Sequence, residues 1–124
     1  MEAIVCDTNI LIEILKGDEK TLWQLQDFKG ELYLSSISAM ELFYGAKDKT
    51  EQKKLEKFVS LFTTVHVNES ISRRAVELVR RYAKSHCLDI PDSLIAATAM
   101  ELGCRLFTYN LKDFRFIEGL ELVT

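Results

Sequence analysis

Proline is nearly absent from this 124-residue chain: Pro91 stands alone, beside five glycines and no Gly/Ser-rich linker, repeat or low-complexity run. A single compact domain over residues 1–124 is therefore expected. Histidine is scarce as well. His66 and His86 lie far apart, and neither has a neighbour at ligand spacing, which argues against zinc. The three cysteines, at 6, 87 and 104, form no C-x-x-C pair and imply no disulfide framework. Cys6 sits in an apolar run and reads as a small buried hydrophobe. No apolar stretch approaches the roughly 18 residues of a membrane helix. The opening Met1-Glu2-Ala3-Ile4 has no basic region ahead of an apolar one, so no signal peptide is expected and the expected location is cytoplasmic. Positive charge is not in excess either. The formal net charge is −3, which on its face argues against a surface coated for nucleic acid.

What is present is apolar material in short, patterned pieces. At 48% hydrophobic the chain has enough to bury a core and is outside the disordered class. Buried-type strands are expected at 2–6, 31–35, 63–67 and 105–108, with a possible fifth at 120–123. Helices are expected at 9–16, stopped by Gly17, and at 19–29, 38–47, 51–62, 70–86 and 91–102. The clearest helical stripes are Leu55, Phe58, Val59 and Phe62, and Ile71, Ala75, Leu78, Val79 and Tyr82. Pro91 suits a first helical turn, and Gly103 falls just past that helix's end. Short strands alternating with helices predict an α/β domain, its mainly parallel sheet covered on both faces. In such sheets, sites form beyond the carboxyl ends of the strands.

That rule singles out acids. Asp7 stands just past the first strand. Glu41 lies in the first turns of the helix after the second. Asp113 follows the fourth strand by a few residues, and Asp92 opens the helix that leads into it. Each has an ordinary structural explanation. Asp7 can cap the following helix, Glu41 stands three residues after Ser38 as in a capping box, Asp92 complements a helix dipole, and Asp113 can stabilise a turn. Together they are harder to explain that way. Clustered carboxylates repel unless protonated or bridged by cations. An oxygen-only set without Cys or His suits a hard ion, Mg²⁺ or Mn²⁺.

The segments "CDTN" (6–9), "MELFYG" (40–45), "PDSLIAATA" (91–99) and "TYNLKDF" (108–114), in that order, resemble the PIN-domain ribonucleases, and more narrowly the VapC toxins of toxin–antitoxin systems. The resemblance runs along essentially the whole chain. It implies a PIN-like three-layer α/β/α domain with a mainly parallel four- to five-stranded sheet. It assigns Asp7, Glu41, Asp92 and Asp113 to an acidic site that is both catalytic and metal-binding, with Asn9, Thr108 and Asn110 as supporting polar residues. Asp89 is treated as a bystander. The implied activity is Mg²⁺- or Mn²⁺-dependent endonucleolytic cleavage of RNA by a metal-activated water. The implied partners are an RNA substrate, a cognate antitoxin and a second copy in a homodimer, with no membrane. Alternatives are a non-toxin PIN-domain RNA-processing nuclease, a non-cutting RNA- or partner-binding module, and a receiver-like phosphate-transfer domain. The last lacks the expected Thr/Ser and Lys arrangement.

Setting the four proposed ligands aside moves the formal charge from −3 to +1. The remaining basic residues are grouped: Lys47, Lys49, Lys53, Lys54 and Lys57 in one stretch, and Arg73, Arg74, Arg80, Arg81 and Lys84 on the long helix. A solvated surface accounts for most of them, leaving a few for RNA phosphates. Residues 10–28 carry Ile10, Leu11, Ile14, Trp23, Leu25 and Phe28, which serve either as core or as an exposed binding groove on the first two helices.

Overall fold

The computed structural model describes residues 3–26 and 28–123. Four short strands, β1 (Ala3–Cys6), β2 (Glu31–Ser35), β3 (Thr63–Val65) and β4 (Arg105–Phe107), form one sheet in the order β3-β2-β1-β4. Every pairing is parallel. Six helices connect them: α1 (Thr8–Leu15), α2 (Glu19–Gln26), α3 (Ser36–Tyr44), α4 (Lys49–Val59), α5 (Glu69–His86) and α6 (Ile90–Leu102).

The alternation of side chains along each strand divides the core in two. Val5 and Leu106 point to the face covered by α5 and α6, where they meet Ile71, Ala75, Leu78, Tyr82, Ile95, Ala96 and Phe114. Ile4, Cys6, Leu34 and Phe107 point to the other face and pack with Ile10, Leu11, Ala39, Leu42 and Leu55 from α1, α3 and α4. Each fully buried Leu or Ile contributes roughly 1.5–3 kcal/mol. The alanines of α6 let it lie close on the sheet: Ala96, Ala97 and Ala99 are wholly buried.

The differences from expectation have local causes. The third strand stops at Val65 rather than residue 67, because its partner β2 ends at Ser35, the residue paired with Val65. Beyond it, His66 and Val67 have no ladder to join. The fifth strand is a single bridge, Leu106 to Leu122. The chain turns at Gly119, with φ +88°, and then aligns only one residue with β4. The third helix starts at Ser36, not residue 38. Ser35 is its N-cap, accepting from the Ile37 N–H at 3.1 Å, so Ser38 lies inside the helix and the Ser38–Glu41 capping box does not form. The fourth helix opens at Lys49 under an Asp48 cap that accepts from the Glu51 N–H at 2.8 Å. It ends at Val59, leaving Phe62 beyond the helix, edge-on to Phe58.

Of the six apolar residues singled out between 10 and 28, five join the core. Ile10 and Leu11 are buried, and Ile14, Leu25 and Phe28 are partly buried against them. Trp23 instead stays 73% exposed, in company with Ile12, Leu15 and Leu22. Among the described residues, no helix is long and apolar enough to cross a membrane.

Candidate active site

The parallel register brings the ends of the first and last strands side by side. Cys6 pairs with Phe107, and the Asp7 N–H donates to the Phe107 carbonyl at 2.9 Å. The next residues, Asp7 and Thr108, are both buried at the carboxyl edge of the sheet. Thr108 donates its hydroxyl to Asp7 Oδ2 at 2.8 Å, while the Thr8 N–H donates to Asp7 Oδ1 at the same distance. Asp7 is therefore the N-cap of α1 as well as a candidate site residue. Each of its oxygens makes one hydrogen bond and keeps acceptor capacity.

Glu41 is exposed, and Thr8 Oγ1 donates to its Oε1 at 2.6 Å. Thr8 Oγ1 is also 2.8 Å from Ser38 Oγ. A hydroxyl has one proton, so with that proton on Glu41 the Ser38 hydroxyl is the donor in the second contact. Asp92 sits half-buried in the first turn of α6, whose N-cap is Asp89, accepting from the Asp92 N–H at 2.8 Å. Asp113 ends a single 3-10 turn, Leu111–Asp113, that the sequence pattern did not reveal.

The four carboxylates feel one another. Burial pushes Asp7 above the usual carboxylate range. The hydrogen bonds from Thr108 and Thr8 oppose this, and the charges of Glu41 and Asp113 add to it. Asp92 is pushed up to about 7, first by burial, then by Asp89, Asp7, Asp113 and Glu41. Asp89 is thus no bystander: it caps the helix that carries Asp92 and makes that side chain harder to ionise. Among the described residues, no three Asp, Glu, His or Cys side chains are gathered closely enough to form a finished ion cage. The donor set still fits a hard cation. It is all oxygen, and its mutual repulsion is the cost that a divalent charge relieves.

A model of the PIN domain family matches residues 4–119. Ribonuclease VapC19 of Mycobacterium tuberculosis is 34% identical over 119 residues, covering 93% of this chain and 94% of its own. Ribonuclease VapC1 of Rickettsia felis is 32% identical over 129 residues, covering 98% and 95%. The chain belongs to the PIN domain family, among the VapC ribonucleases. In three dimensions this PIN domain is similar to a chain of a toxin–antitoxin complex from Klebsiella pneumoniae, with TM-score 0.82, 31% identity and coverage of 98% and 96%. It is also similar to a chain of VapBC2 from Rickettsia felis bound to a DNA fragment from its promoter, with TM-score 0.84, 28% identity and coverage of 98% and 97%.

The fold of this PIN domain brings Asp7, Glu41, Asp92 and Asp113 within electrostatic reach at one edge of the sheet. The supporting polar residues divide their work unevenly. Asn9 Nδ2 donates to Thr108 Oγ1 at 3.3 Å, and Asn9 Oδ1 accepts the Tyr109 N–H at 3.3 Å. Asn110 contributes its backbone N–H, which donates to Thr108 Oγ1 at 3.0 Å, while its side chain caps nothing.

Three contributors escaped the sequence reading. Thr8 donates to Glu41, and Ser38 bonds to Thr8. Tyr109 ties α2 to the site loop: its phenol oxygen is 2.6 Å from Thr21 Oγ1 and 3.1 Å from Gln24 Oε1. Thr8 lies inside "CDTN" and was within sight. Nothing in the sequence links Tyr109 to Thr21, 88 positions away.

Proposed function

We propose that this chain is a divalent-metal-dependent endoribonuclease, acting in the cytoplasm as the toxin of a toxin–antitoxin pair. The observation that carries the reading is the coupled set Asp7, Glu41, Asp92 and Asp113, delivered by separate elements to the carboxyl edge of a parallel sheet. These four residues would hold Mg²⁺ or Mn²⁺. The bound ion supplies Lewis-acid activation of water and neutralises charge on the scissile phosphate.

The chain's own residues divide the rest. Asp7 is the fixed member, held on both oxygens by Thr8 and Thr108. Burial and the neighbouring acids push Asp92 up to about 7, and positive charge beside it would favour its ionised form. Glu41 is exposed and Asp113 half-exposed, so both have room to turn and to orient water. The tethers that fix Asp7 therefore set the position around which the other three gather. No Ser/His or Cys/His nucleophile is needed for such hydrolysis.

The likeness to a chain of a Klebsiella pneumoniae toxin–antitoxin complex supports a partner antitoxin for this chain. The exposed apolar residues Ile12, Leu15, Leu22 and Trp23 support a protein partner on α1 and α2. A homodimer is part of the same proposal.

The test is direct. Incubate the purified full chain, free of antitoxin, with structured RNAs and Mg²⁺ or Mn²⁺, beside Asp7→Asn and an EDTA control. Internal cuts that need the ion and vanish in the variant are expected. Cleavage that survives EDTA, or that Asp7→Asn retains in full, overturns the reading.

A further inference from the structure

The basic residues fall into two different states. On α5 the arginines are engaged with acids: Arg73 with Glu69, Arg74 with Glu101, Arg80 with Glu77 and Arg81 with Glu118. On α4, Lys49, Lys53, Lys54 and Lys57 are all exposed. Among the described residues none of them has an ion-pair partner. The chain carries 19 acids against 16 Lys and Arg, so these lysines are unpaired by placement and not by a shortage of acids.

Their placement is regular. Successive fourth residues on a helix are offset by only about 40°, so Lys49, Lys53 and Lys57 form one stripe and Lys54 lies at its edge. Leu55, Phe58 and Val59 occupy the opposite side and pack into the core. The stripe therefore faces straight outward. The same core cluster contains Ala39, Leu42 and Phe43 from α3, so α4 lies directly against the helix that carries Glu41. The free ammonium groups therefore sit on the outer side of the helix packed against α3.

We propose that Lys49, Lys53 and Lys57, with Lys54 at their edge, form a track on α4 that grips the phosphate backbone of the RNA presented to the carboxylate site. This rests on the endoribonuclease reading above. An acidic site repels an RNA strand, and a neighbouring row of unpaired cations offsets that repulsion without reading sequence. Lysines held in ion pairs would have to break them first, which is why the α5 arginines are poor candidates.

The experiment uses the full chain carrying Asp7→Asn, so that binding is read without cutting. Anisotropy of a labelled single-stranded RNA is followed as potassium chloride rises at fixed Mg²⁺. The track is removed by Lys49→Gln, Lys53→Gln and Lys57→Gln together, which keeps helix propensity. A charge-matched control carries Lys16→Gln, Lys29→Gln and Lys84→Gln. Each phosphate contact on a single strand contributes about 0.7 to the slope of log affinity against log salt. The track variant is expected to lose about 2 from that slope and to bind between about ten- and a hundred-fold more weakly at moderate salt. With Asp7 restored, KM should rise while kcat holds. A slope equal to that of the control overturns the track and leaves the nuclease reading standing, provided the parent binds and cuts RNA. A parent that neither binds nor cuts RNA overturns both. A preference for duplex DNA over RNA, lost in the track variant, overturns the assignment to substrate.

Discussion

Thr108 Oγ1 has its full complement of hydrogen bonds, and the only place for its proton is Asp7 Oδ2, 2.8 Å away. Both acceptor positions of that hydroxyl are filled, one by the Asn9 side-chain amide and the other by the Asn110 N–H. A hydroxyl so surrounded cannot rotate away from the carboxylate. Asp7 is consequently held as an acceptor in one orientation.

Thr108→Val removes that proton and leaves a buried carboxylate short of a bond. The expected cost is about 1.5–3 kcal/mol of stability, read by denaturant titration, with a large fall in RNA cleavage. Thr108→Ser should retain most of both. Equal behaviour of the Val and Ser variants would contradict the assignment.

Asp92 gives a pH signature in metal-free protein. Its folded pKa of about 7 stands above an unfolded value of about 3.9. The native state therefore binds this proton more tightly than the unfolded state does. Stability is highest below about pH 4 as far as this group is concerned, and falls as pH rises towards about 7. The side chain is partly exposed, so screening reduces the effect to about 1–2 kcal/mol. In EDTA, Asp92→Asn should flatten the decline of Tm between acid and neutral pH while abolishing cleavage. A variant whose Tm profile parallels the parent's would refute the point.

Tyr109 reaches α2 through its hydroxyl and through its ring, over which Lys20 Nζ lies 6.0 Å from the centroid, so Tyr109→Phe tests the hydroxyl tether alone without emptying space. Thr21 is fully buried and already donates to Asp18 Oδ2 at 2.7 Å, so the single phenol proton is shared between Thr21 Oγ1 at 2.6 Å and Gln24 Oε1 at 3.1 Å. Losing that bond should cost about 1 kcal/mol. It should lower kcat several-fold at unchanged KM, because Asn9 and Thr108 lose support on one side. A rise in KM alone would point to substrate contact instead.

Cys87 caps α5 in the left-handed region, at φ +58°, a conformation that suits glycine. The residue is exposed and its thiol is in no disulfide. Cys87→Gly should stabilise the protein by about 0.5–1 kcal/mol after glycine's own entropy cost, seen as a higher Tm with unchanged cleavage. The reverse change at the equivalent cap of α6, Gly103→Ala at φ +66°, should destabilise by a similar amount.

Much of the architecture was legible because burial leaves a pattern in the chain. The second strand has the expected bounds, and the long stripe from Ile71 to Tyr82 marks the inner face of α5. Polar roles were less legible, since a serine or aspartate is assigned by what tertiary packing puts beside it. Ser35, and not Ser38, caps α3. Asp89 caps α6, and Thr8 reaches Glu41 across 33 positions. The four acids could be named from motif order. That Asp7 alone among them is buried follows from the pairing of Cys6 with Phe107, which no local pattern encodes.

The bond between Asp7 and Thr108 joins residues 101 positions apart, and the strands they follow are the first and last along the chain though neighbours in the sheet. A ribosome adds residues at about 5–20 per second. On the order of ten seconds therefore separates synthesis of the two halves of the site. A growing chain carries Asp7 all that time without β4 to complete its edge. Until residue 113 has been added, the acidic cluster lacks a member, and until residue 108 has been added Asp7 lacks its hydroxyl donor.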